Sequence, residues 1–139
     1  RQEVREQVLS ANIDVVMIVT AVDHDLNARR VERYLSLASE AQVGAMLVLT
    51  KIDLVHNAAQ IIEDVRAAFP SLPIFACDVL GGAGVDELRH ALVDRHTYAL
   101  LGSSGVGKST LINRLLGEES LRSGAVRRDG KGRHTTTKR

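Results

Sequence analysis

Short apolar runs alternate with longer amphipathic segments along this chain. The first run, Ile13 to Thr20, is rich in β-branched residues, a composition typical of a buried strand. Apolar residues between Asn27 and Glu40 then recur at spacings of three and four, which predicts an amphipathic helix. We expect Gly44 to end that helix. The pattern therefore predicts a strand followed by a helix, and the same pair of elements repeats downstream.

Three more strands are predicted, at Ala45 to Thr50, Pro73 to Cys77 and Thr97 to Leu101. Three more helices are predicted, at about Asn57 to Phe69, Val85 to Val93 and Ser109 to Leu116, the last ended by Gly117. Apolar strands that alternate with helices indicate an α/β fold, with a mainly parallel sheet flanked by helices. The carboxyl ends of such strands share one edge, where ligands bind.

Composition narrows the class of protein. A chain of 139 residues, 45% of them hydrophobic, has the size of one domain. Its one cysteine, Cys77, excludes a disulfide scaffold and a multi-thiolate zinc site, and fits a reducing cytoplasm. The apolar runs are far shorter than the roughly 20 residues of a membrane helix. We expect a cytoplasmic monomer with no membrane partner.

The charges are segregated along the chain, although the net charge is only +1. Residues 122–139 hold seven basic residues against Asp129, a net of +6, whereas the first 121 hold 11 basic and 16 acidic residues, a net of −5. The basic segment could meet phosphates or nucleic acid, or it could be a solvated flexible tail. Aromatic residues, at 3%, argue against a surface that stacks on bases.

A glycine-rich run follows the fourth predicted strand and opens a predicted helix, which is the context that the G-x-x-x-x-G-K-[ST] phosphate-binding motif requires. Its glycines let backbone N–H groups and the helix dipole point at a phosphate chain. Lys108 would reach the β- and γ-phosphates, and the Ser109 hydroxyl would bind Mg²⁺. The run consists of Gly102, Ser103, Ser104, Gly105, Val106, Gly107, Lys108, Ser109 and Thr110.

The second predicted strand ends in Thr50, Lys51, Ile52 and Asp53, which resembles the [NT]-K-x-D motif of GTPases. A carboxylate at this position can accept both the ring N–H and the exocyclic amine of guanine, a donor pair that adenine lacks. The stem of Lys51 could lie along the base, and Thr50 could brace the loop. The alternative is that Asp53 merely caps a turn. The motif pair predicts GTP and GDP as ligands.

The third predicted strand leads into Asp78 and Val79, where GTPases usually place a Ser-Ala pair whose backbone N–H groups contact the base carbonyl. A carboxylate beside that carbonyl would repel it, unless the Asp78 side chain turns away or caps the next turn. A backbone contact from Asp78 and Val79 is therefore expected only if the carboxylate is held elsewhere.

The base-reading motif precedes the phosphate-binding motif here, which is the reverse of the order in most GTPases. With the sheet kept, the strand order becomes fourth, first, second, third. The chain resembles the ribosome small-subunit-dependent GTPase A family of bacteria. The resemblance rests on this strand order and on three segments of sequence: Gln7 to Asp14, the pattern Asn27-x-x-Arg30-x-x-Arg33-Tyr34-Leu35, and the run from Gly132 to Thr137.

The resemblance implies a P-loop fold with circularly permuted GTPase topology and a role in late maturation of the small ribosomal subunit. The expected partners are that subunit and its rRNA. The D-x-P-G motif, an amino-terminal oligonucleotide-binding barrel and a zinc-binding domain of the family lie outside these residues. Residues 1–139 are therefore expected to be a partial GTPase domain, with residues 122–139 as a mobile, basic switch-like segment.

The resemblance also suggests catalytic residues beyond Lys108. The threonines from 135 to 137 resemble the first switch segment, in which one threonine binds Mg²⁺. We expect Thr136 in that role, with Thr137 second. His134 could orient the attacking water, or it could be a loop histidine or contact RNA. The Asp23-His24-Asp25 triplet resembles a metal-ligand cluster, but its position before a helix is better explained by capping.

Two other functions remain open. One is a nucleotide-gated rRNA- or ribosome-binding module with negligible hydrolysis, which the basic segment would serve equally well. The other is a P-loop kinase that uses ATP, because a phosphate loop alone does not choose the base.

Overall fold

The computed structural model describes residues 2–10, 12–23, 25–103, 105–122, 126–129 and 133–137. Side chains are described for 4–9, 12–23, 25–103 and 105–116. The helices are α1 (Gln2–Ser10), α2 (Ala28–Ala41), α3 (Ala58–Ala68), α4 (Val85–Ala91) and α5 (Lys108–Arg122), with a 3₁₀ turn at Ile52–Leu54. The strands are β1 (Val15–Ala21), β2 (Gly44–Thr50), β3 (Ile74–Ala76), β4 (Thr97–Leu101), β5 (Val126–Asp129) and β6 (Arg133–Thr137).

The strands form a six-stranded sheet in the order β3-β2-β1-β4-β6-β5. Strands β1 to β4 are mutually parallel, and β1 lies between β2 and β4. Strand β6 pairs antiparallel with β4, and β5 pairs antiparallel with β6. The predicted parallel sheet, with the strand order fourth, first, second, third, is therefore confirmed.

Both faces of the parallel strands β1 to β4 contribute to the core, because successive strand residues point to opposite sides. On β1, Val16 and Ile18 face a core to which Val8 of α1, Val31 of α2 and Val65 of α3 contribute. Their neighbours face a second core, closed by α4 and α5; its members include Met17, Val19, Leu88, Leu111 and Ile112. The near-continuous apolar runs are thus explained by burial on both sides.

The end of α2 differs from the prediction. Asn27 caps its amino end by accepting from the N–H groups of Arg29 and Arg30, but Gly44 does not end it. Gln42 takes the left-handed conformation there, at φ 60°. Gly44 instead opens β2, where its N–H donates to the carbonyl oxygen of Asp14 at 3.0 Å.

The end of α5 differs as well. The helix passes through Gly117 and continues to Arg122, because one glycine inside a helix costs only about 1 kcal/mol relative to alanine. Helix α1 and strands β5 and β6 were not predicted. The last two lie in the basic segment, whose mobility stays a prediction. Within the described part of the chain, no helix is long and apolar enough to cross a membrane.

Candidate nucleotide-binding site

The turns that follow the parallel strands lie along one edge of the sheet. Backbone hydrogen bonds between neighbouring chain segments continue just beyond the ends of the strands. The N–H of Val22 donates to the Thr50 carbonyl at 3.1 Å, and that of Cys77 donates to the Leu49 carbonyl at 2.7 Å. The predicted phosphate-binding run, residues 102–110 (hereafter the phosphate loop), leaves β4 at the same edge. The edge therefore gathers the polar segments that the sequence singled out.

Glycine is required at several points of the phosphate loop. A Cβ atom on Gly102 would lie 2.2 Å from the carbonyl oxygen of Val19, so only glycine fits against β1. Gly105 and Gly107 have φ values of 84° and 95°, a left-handed backbone that other residues rarely adopt. Val106 between them is buried in the core. Ser104 lies outside the described residues.

Lys108 opens α5 and is almost fully buried, with 4% of its surface exposed. Its ammonium donates to the carbonyl oxygen of Gly102, which closes the loop on itself. Burial lowers the pKa of Lys108, and the negative charge of Asp25 opposes that shift. No carboxylate of the described residues forms an ion pair with it. A buried cation without an ion pair attracts an anion, and a phosphate group would supply the missing charge.

The turn after β2 is tied directly to the phosphate loop. Thr50 is 1% exposed, and its hydroxyl donates to the Val106 carbonyl at 2.8 Å. Lys51 then takes a left-handed conformation, φ 61°, and starts the 3₁₀ turn of Ile52–Leu54. Strained backbone of this kind is often kept at functional sites. The turn leaves Asp53 exposed to solvent, as a residue that reads a bound base must be.

The turn after β3 contains the unexpected Asp78. Its carboxylate accepts from the N–H of Gly81 at 2.9 Å, and its own N–H donates to the Ala83 carbonyl at 2.9 Å. The carboxylate of Asp78 is thus held within its own turn, as a backbone contact to a base would require. The N–H of Asp78 is occupied as well, however, and is not available to a base. From α5, Arg114 donates to the carbonyl oxygen of Leu80 and fixes the turn from behind. Val79 is buried.

Cys77 lies at the start of this turn and is fully buried. Burial, with a smaller contribution from the charge of Glu87, raises the pKa of its thiol to about 11. The thiol is therefore protonated at neutral pH and is not a nucleophile there.

One polar network at this edge was not predicted. Asp25 accepts from the Thr20 hydroxyl at 3.0 Å and from Arg30 at 3.0 Å, and Arg30 also donates to the Ser103 hydroxyl at 2.7 Å. Capping of α2 therefore belongs to Asn27, and explaining Asp25 as a helix cap was wrong. A signal was present in the sequence: Asp25 follows the carboxyl end of β1, the edge where ligands bind.

The predicted switch residues lie in β6, whose backbone is described. Because β6 runs antiparallel to β4, His134 pairs with Leu100 near the phosphate loop, whereas Thr136 pairs with Tyr98, nearer the opposite edge. Four residues of strand, about 13 Å, separate Tyr98 from Gly102. The structure thus does not bring Thr136 to the phosphate loop. A role for Thr136 as a Mg²⁺ ligand stays a prediction, and it requires β6 to leave this position.

A magnesium site built from protein carboxylates is not found: the described residues contain no cluster of three or more His, Cys, Asp or Glu side chains that could hold a metal ion. Ser109 follows Lys108 in the first turn of α5. A single hydroxyl suits Mg²⁺ when phosphates and water supply its other ligands. The donor set therefore fits a metal ion that arrives with a nucleotide.

Comparison with known proteins identifies the family. A family model described as RsgA GTPase matches residues 1–139, the whole chain. The chain belongs to the RsgA GTPase family. The order of its two motifs and the strand order of its sheet are therefore features of an RsgA GTPase domain, and the resemblance drawn from the sequence is confirmed.

Two relatives in this family are similar over almost the whole chain. The small ribosomal subunit biogenesis GTPase RsgA of Methanosarcina acetivorans is 44% identical over 135 residues, which cover 96% of this chain and 37% of that protein. The small ribosomal subunit biogenesis GTPase RsgA 2 of Vibrio vulnificus is 44% identical over 138 residues, covering 99% and 40%. The chain thus spans about two fifths of the length of these RsgA relatives.

A solved structure agrees in fold. The crystal structure of YjeQ from Thermotoga maritima superposes with a TM-score of 0.73 at 24% sequence identity, covering 92% of this chain and 48% of that chain. The parallel sheet with its flanking helices is therefore an architecture already seen in a solved protein.

Proposed function

We propose that this RsgA-family chain binds a guanine nucleotide along the carboxyl edge of its sheet and hydrolyses GTP to GDP and phosphate. The observation that carries the proposal is the hydrogen bond from Thr50 to Val106. It joins the turn that would read the base to the loop that would hold the phosphates. One ligand with a base at one end and phosphates at the other accounts for both segments.

The phosphates would be held by the backbone N–H groups of the phosphate loop, by the amino end of α5 and by Lys108. The base would be held by Asp53, with the stem of Lys51 against its plane and Ile52 in the same turn. Val79 would offer its backbone N–H group to the base carbonyl, whereas the N–H of Asp78 already donates to the Ala83 carbonyl oxygen and would have to leave it to contact the base. The capped carboxylate of Asp78 supports that assignment, because it is already bonded to Gly81.

Magnesium would be held by the Ser109 hydroxyl together with the phosphates. When bound, the ion neutralises charge that develops on the β- and γ-phosphates. Lys108 supplies a second, fixed positive charge at the same place. His134 would orient the attacking water. Its pairing with Leu100, near the phosphate loop, supports this role, whereas the pairing of Thr136 with Tyr98 gives less support to metal binding by Thr136.

The cellular role that we propose is maturation of the small ribosomal subunit in the cytoplasm, with the chain acting as a monomer. The names of the relatives support it, since each is described as a small ribosomal subunit biogenesis GTPase. The basic segment from residue 122 onward, with its net charge of +6, would contact rRNA. Such contacts would weaken with increasing salt concentration.

The test combines nucleotide binding with turnover. A fluorescent GDP analogue should bind, GDP should displace it and ATP should not. Small ribosomal subunits should then stimulate phosphate release from GTP under multiple-turnover conditions. Lys108→Ala should abolish tight binding, with the exposed Arg33→Ala as a matched control. Displacement by ATP would instead indicate the kinase, and turnover that does not respond to ribosomes would exclude a ribosome-activated GTPase.

A second candidate is a nucleotide-gated rRNA-binding module with negligible hydrolysis. The register of Thr136, opposite Tyr98 and away from the phosphate loop, favours it, because the expected switch threonine is then missing from the magnesium site. The two functions differ in one measurement. A GTPase releases many phosphates per protein molecule in the presence of small subunits, whereas a binding module changes its rRNA affinity between GDP and GTP without such turnover.

A further inference from the structure

The ion pair between Asp25 and Arg30 reaches the phosphate loop from another part of the fold. Arg30, in the first turn of α2, donates through the same terminal nitrogen to Asp25 at 3.0 Å and to the hydroxyl of Ser103 at 2.7 Å. Arg30 and Ser103 are separated by 73 positions in the sequence. The loop after β1 and the start of α2 are thus connected to the second residue of the phosphate loop.

Arg30 is held firmly at this position. The Asp25 side chain is 18% exposed and the Arg30 side chain 33%. The other carboxylate oxygen of Asp25 accepts from the Thr20 hydroxyl at 3.0 Å, which anchors the pair to the end of β1. Burial raises the pKa of Asp25, but the hydrogen bonds from Arg30, Thr20 and Ala21 outweigh it and leave the pKa below its ordinary value. The carboxylate stays charged at neutral pH, and the ion pair persists.

The helix end does not need this pair. Asn27 already accepts from the N–H groups of Arg29 and Arg30, at 2.9 and 3.2 Å. The contact with Ser103 is therefore not part of the helix cap. Ser103 follows Gly102, which is pressed against Val19, and precedes the left-handed Gly105. It is thus a point where a side-chain contact can fix an otherwise glycine-rich loop.

We propose that Arg30, oriented by Asp25, is a positioning residue that holds the phosphate loop, through Ser103, in the conformation that receives the phosphates of a guanine nucleotide. The inference rests on the proposed function. A glycine-rich loop loses conformational freedom when it closes around phosphates, and a loop that is already fixed loses less. Arg30 thus acts on nucleotide affinity through the loop backbone and makes no contact with the phosphates itself.

The experiment is a double-mutant cycle on nucleotide affinity. Arg30→Ala, Ser103→Ala and the double variant are titrated with the fluorescent GDP analogue in Mg²⁺, beside the unaltered protein. Loss of one charge-assisted hydrogen bond should weaken binding about tenfold in Arg30→Ala. Because Arg30 acts through Ser103, the double variant should bind no more weakly than the weaker single variant. Arg30→Lys, which keeps a donor, should recover part of the affinity.

Two controls separate positioning from a general effect on folding. Arg33→Ala removes an exposed arginine of the same helix and should leave the affinity unchanged. Thermal unfolding without nucleotide reports any loss of stability, which by itself would not produce the non-additive cycle. Two results would overturn the inference, provided that the unaltered protein still binds GDP. One is a double variant whose loss of GDP affinity equals the product of the two single losses, and the other is an unchanged GDP affinity in Arg30→Ala. Failure of the unaltered protein to bind GDP would overturn the proposed function, and the inference with it.

Discussion

The hydroxyl of Thr50 donates to the backbone carbonyl oxygen of Val106 over 2.8 Å, although the two residues are 56 positions apart. Thr50 is the last residue of β2, and Val106 lies in the middle of the phosphate loop. Both are buried. The bond therefore sets the separation between the turn that carries Asp53 and the loop that carries Lys108, and so the length of ligand that can lie across them.

Thr50→Val tests this connection, because valine has nearly the same shape but no donor. The buried carbonyl of Val106 loses its partner, and we expect the free energy of unfolding to fall by about 1–3 kcal/mol. Urea denaturation without nucleotide measures the loss, and Ser36→Ala, at an exposed position of α2, is the control. Equal unfolding free energies for Thr50→Val and the unaltered protein would contradict the importance of the bond. GDP affinity should also fall, since the two turns are no longer coupled.

Asp53→Asn tests base recognition. An asparagine cannot accept both donors of guanine in a charge-assisted pair, so the affinity for GDP should fall by about ten- to a hundredfold. Inosine diphosphate, which lacks the exocyclic amine, is the informative second ligand. Competition titrations should show a large preference for GDP over inosine diphosphate in the unaltered protein and a much smaller one in Asp53→Asn. The same preference in both proteins would mean that Asp53 caps a turn and does not read the base.

Much of the fold could be predicted because each parallel strand is buried on both faces and therefore appears as an unbroken apolar run. Strand β4 was placed at its observed bounds, and the carboxyl ends of β1 and β2 were placed within one residue, although β1 begins two residues later than predicted. Motif chemistry then predicted the edge where the site lies. Strands β5 and β6 have no apolar run, because their residues are mostly basic or hydroxylated, and so the same argument could not find them.

The side-chain contacts of the site were predictable only in part. The contact from Thr50 to the phosphate loop could be predicted, because Thr50 precedes Lys51 within a motif of known chemistry. The contact between Arg30 and Ser103 does not, because nothing in the periodicity of α2 indicates which helix turn approaches the phosphate loop. The role of Gln42 was not predictable for a similar local reason: glycine is the usual residue in a left-handed helix end, and Gly44 lies two residues beyond the glutamine that adopts this conformation.

Asp25→Asn should change how stability depends on pH. The folded-state pKa of Asp25 lies below its ordinary value of 3.8, so the folded protein binds fewer protons than the unfolded chain in this range. The stability that Asp25 contributes is therefore complete above pH 3.8 and is lost as the pH falls through the folded-state pKa. As the pH falls from about 5 to about 2, the unfolding free energy should thus decrease less steeply in Asp25→Asn than in the unaltered protein. Parallel curves for the two proteins would count against the pairing with Arg30.

Gly84→Ala should be among the most destabilising single changes near the site. Gly84 has a φ of 81°, and an added Cβ atom would lie 2.1 Å from the carbonyl oxygen of Ala76, so the turn after β3 must shift. The left-handed backbone alone costs about 1–2 kcal/mol for a residue with a side chain, and the collision adds to that cost. Gly44→Ala is the matched control, since its nearest neighbour would be the Val15 side chain at an ordinary 3.6 Å. Chemical denaturation of both variants should show a large loss of unfolding free energy for Gly84→Ala and little change for Gly44→Ala.

The same turn holds Asp78 and Val79, and so Gly84→Ala should also weaken GDP binding. A destabilised variant with undiminished GDP affinity would show that this turn is not part of the base-binding site.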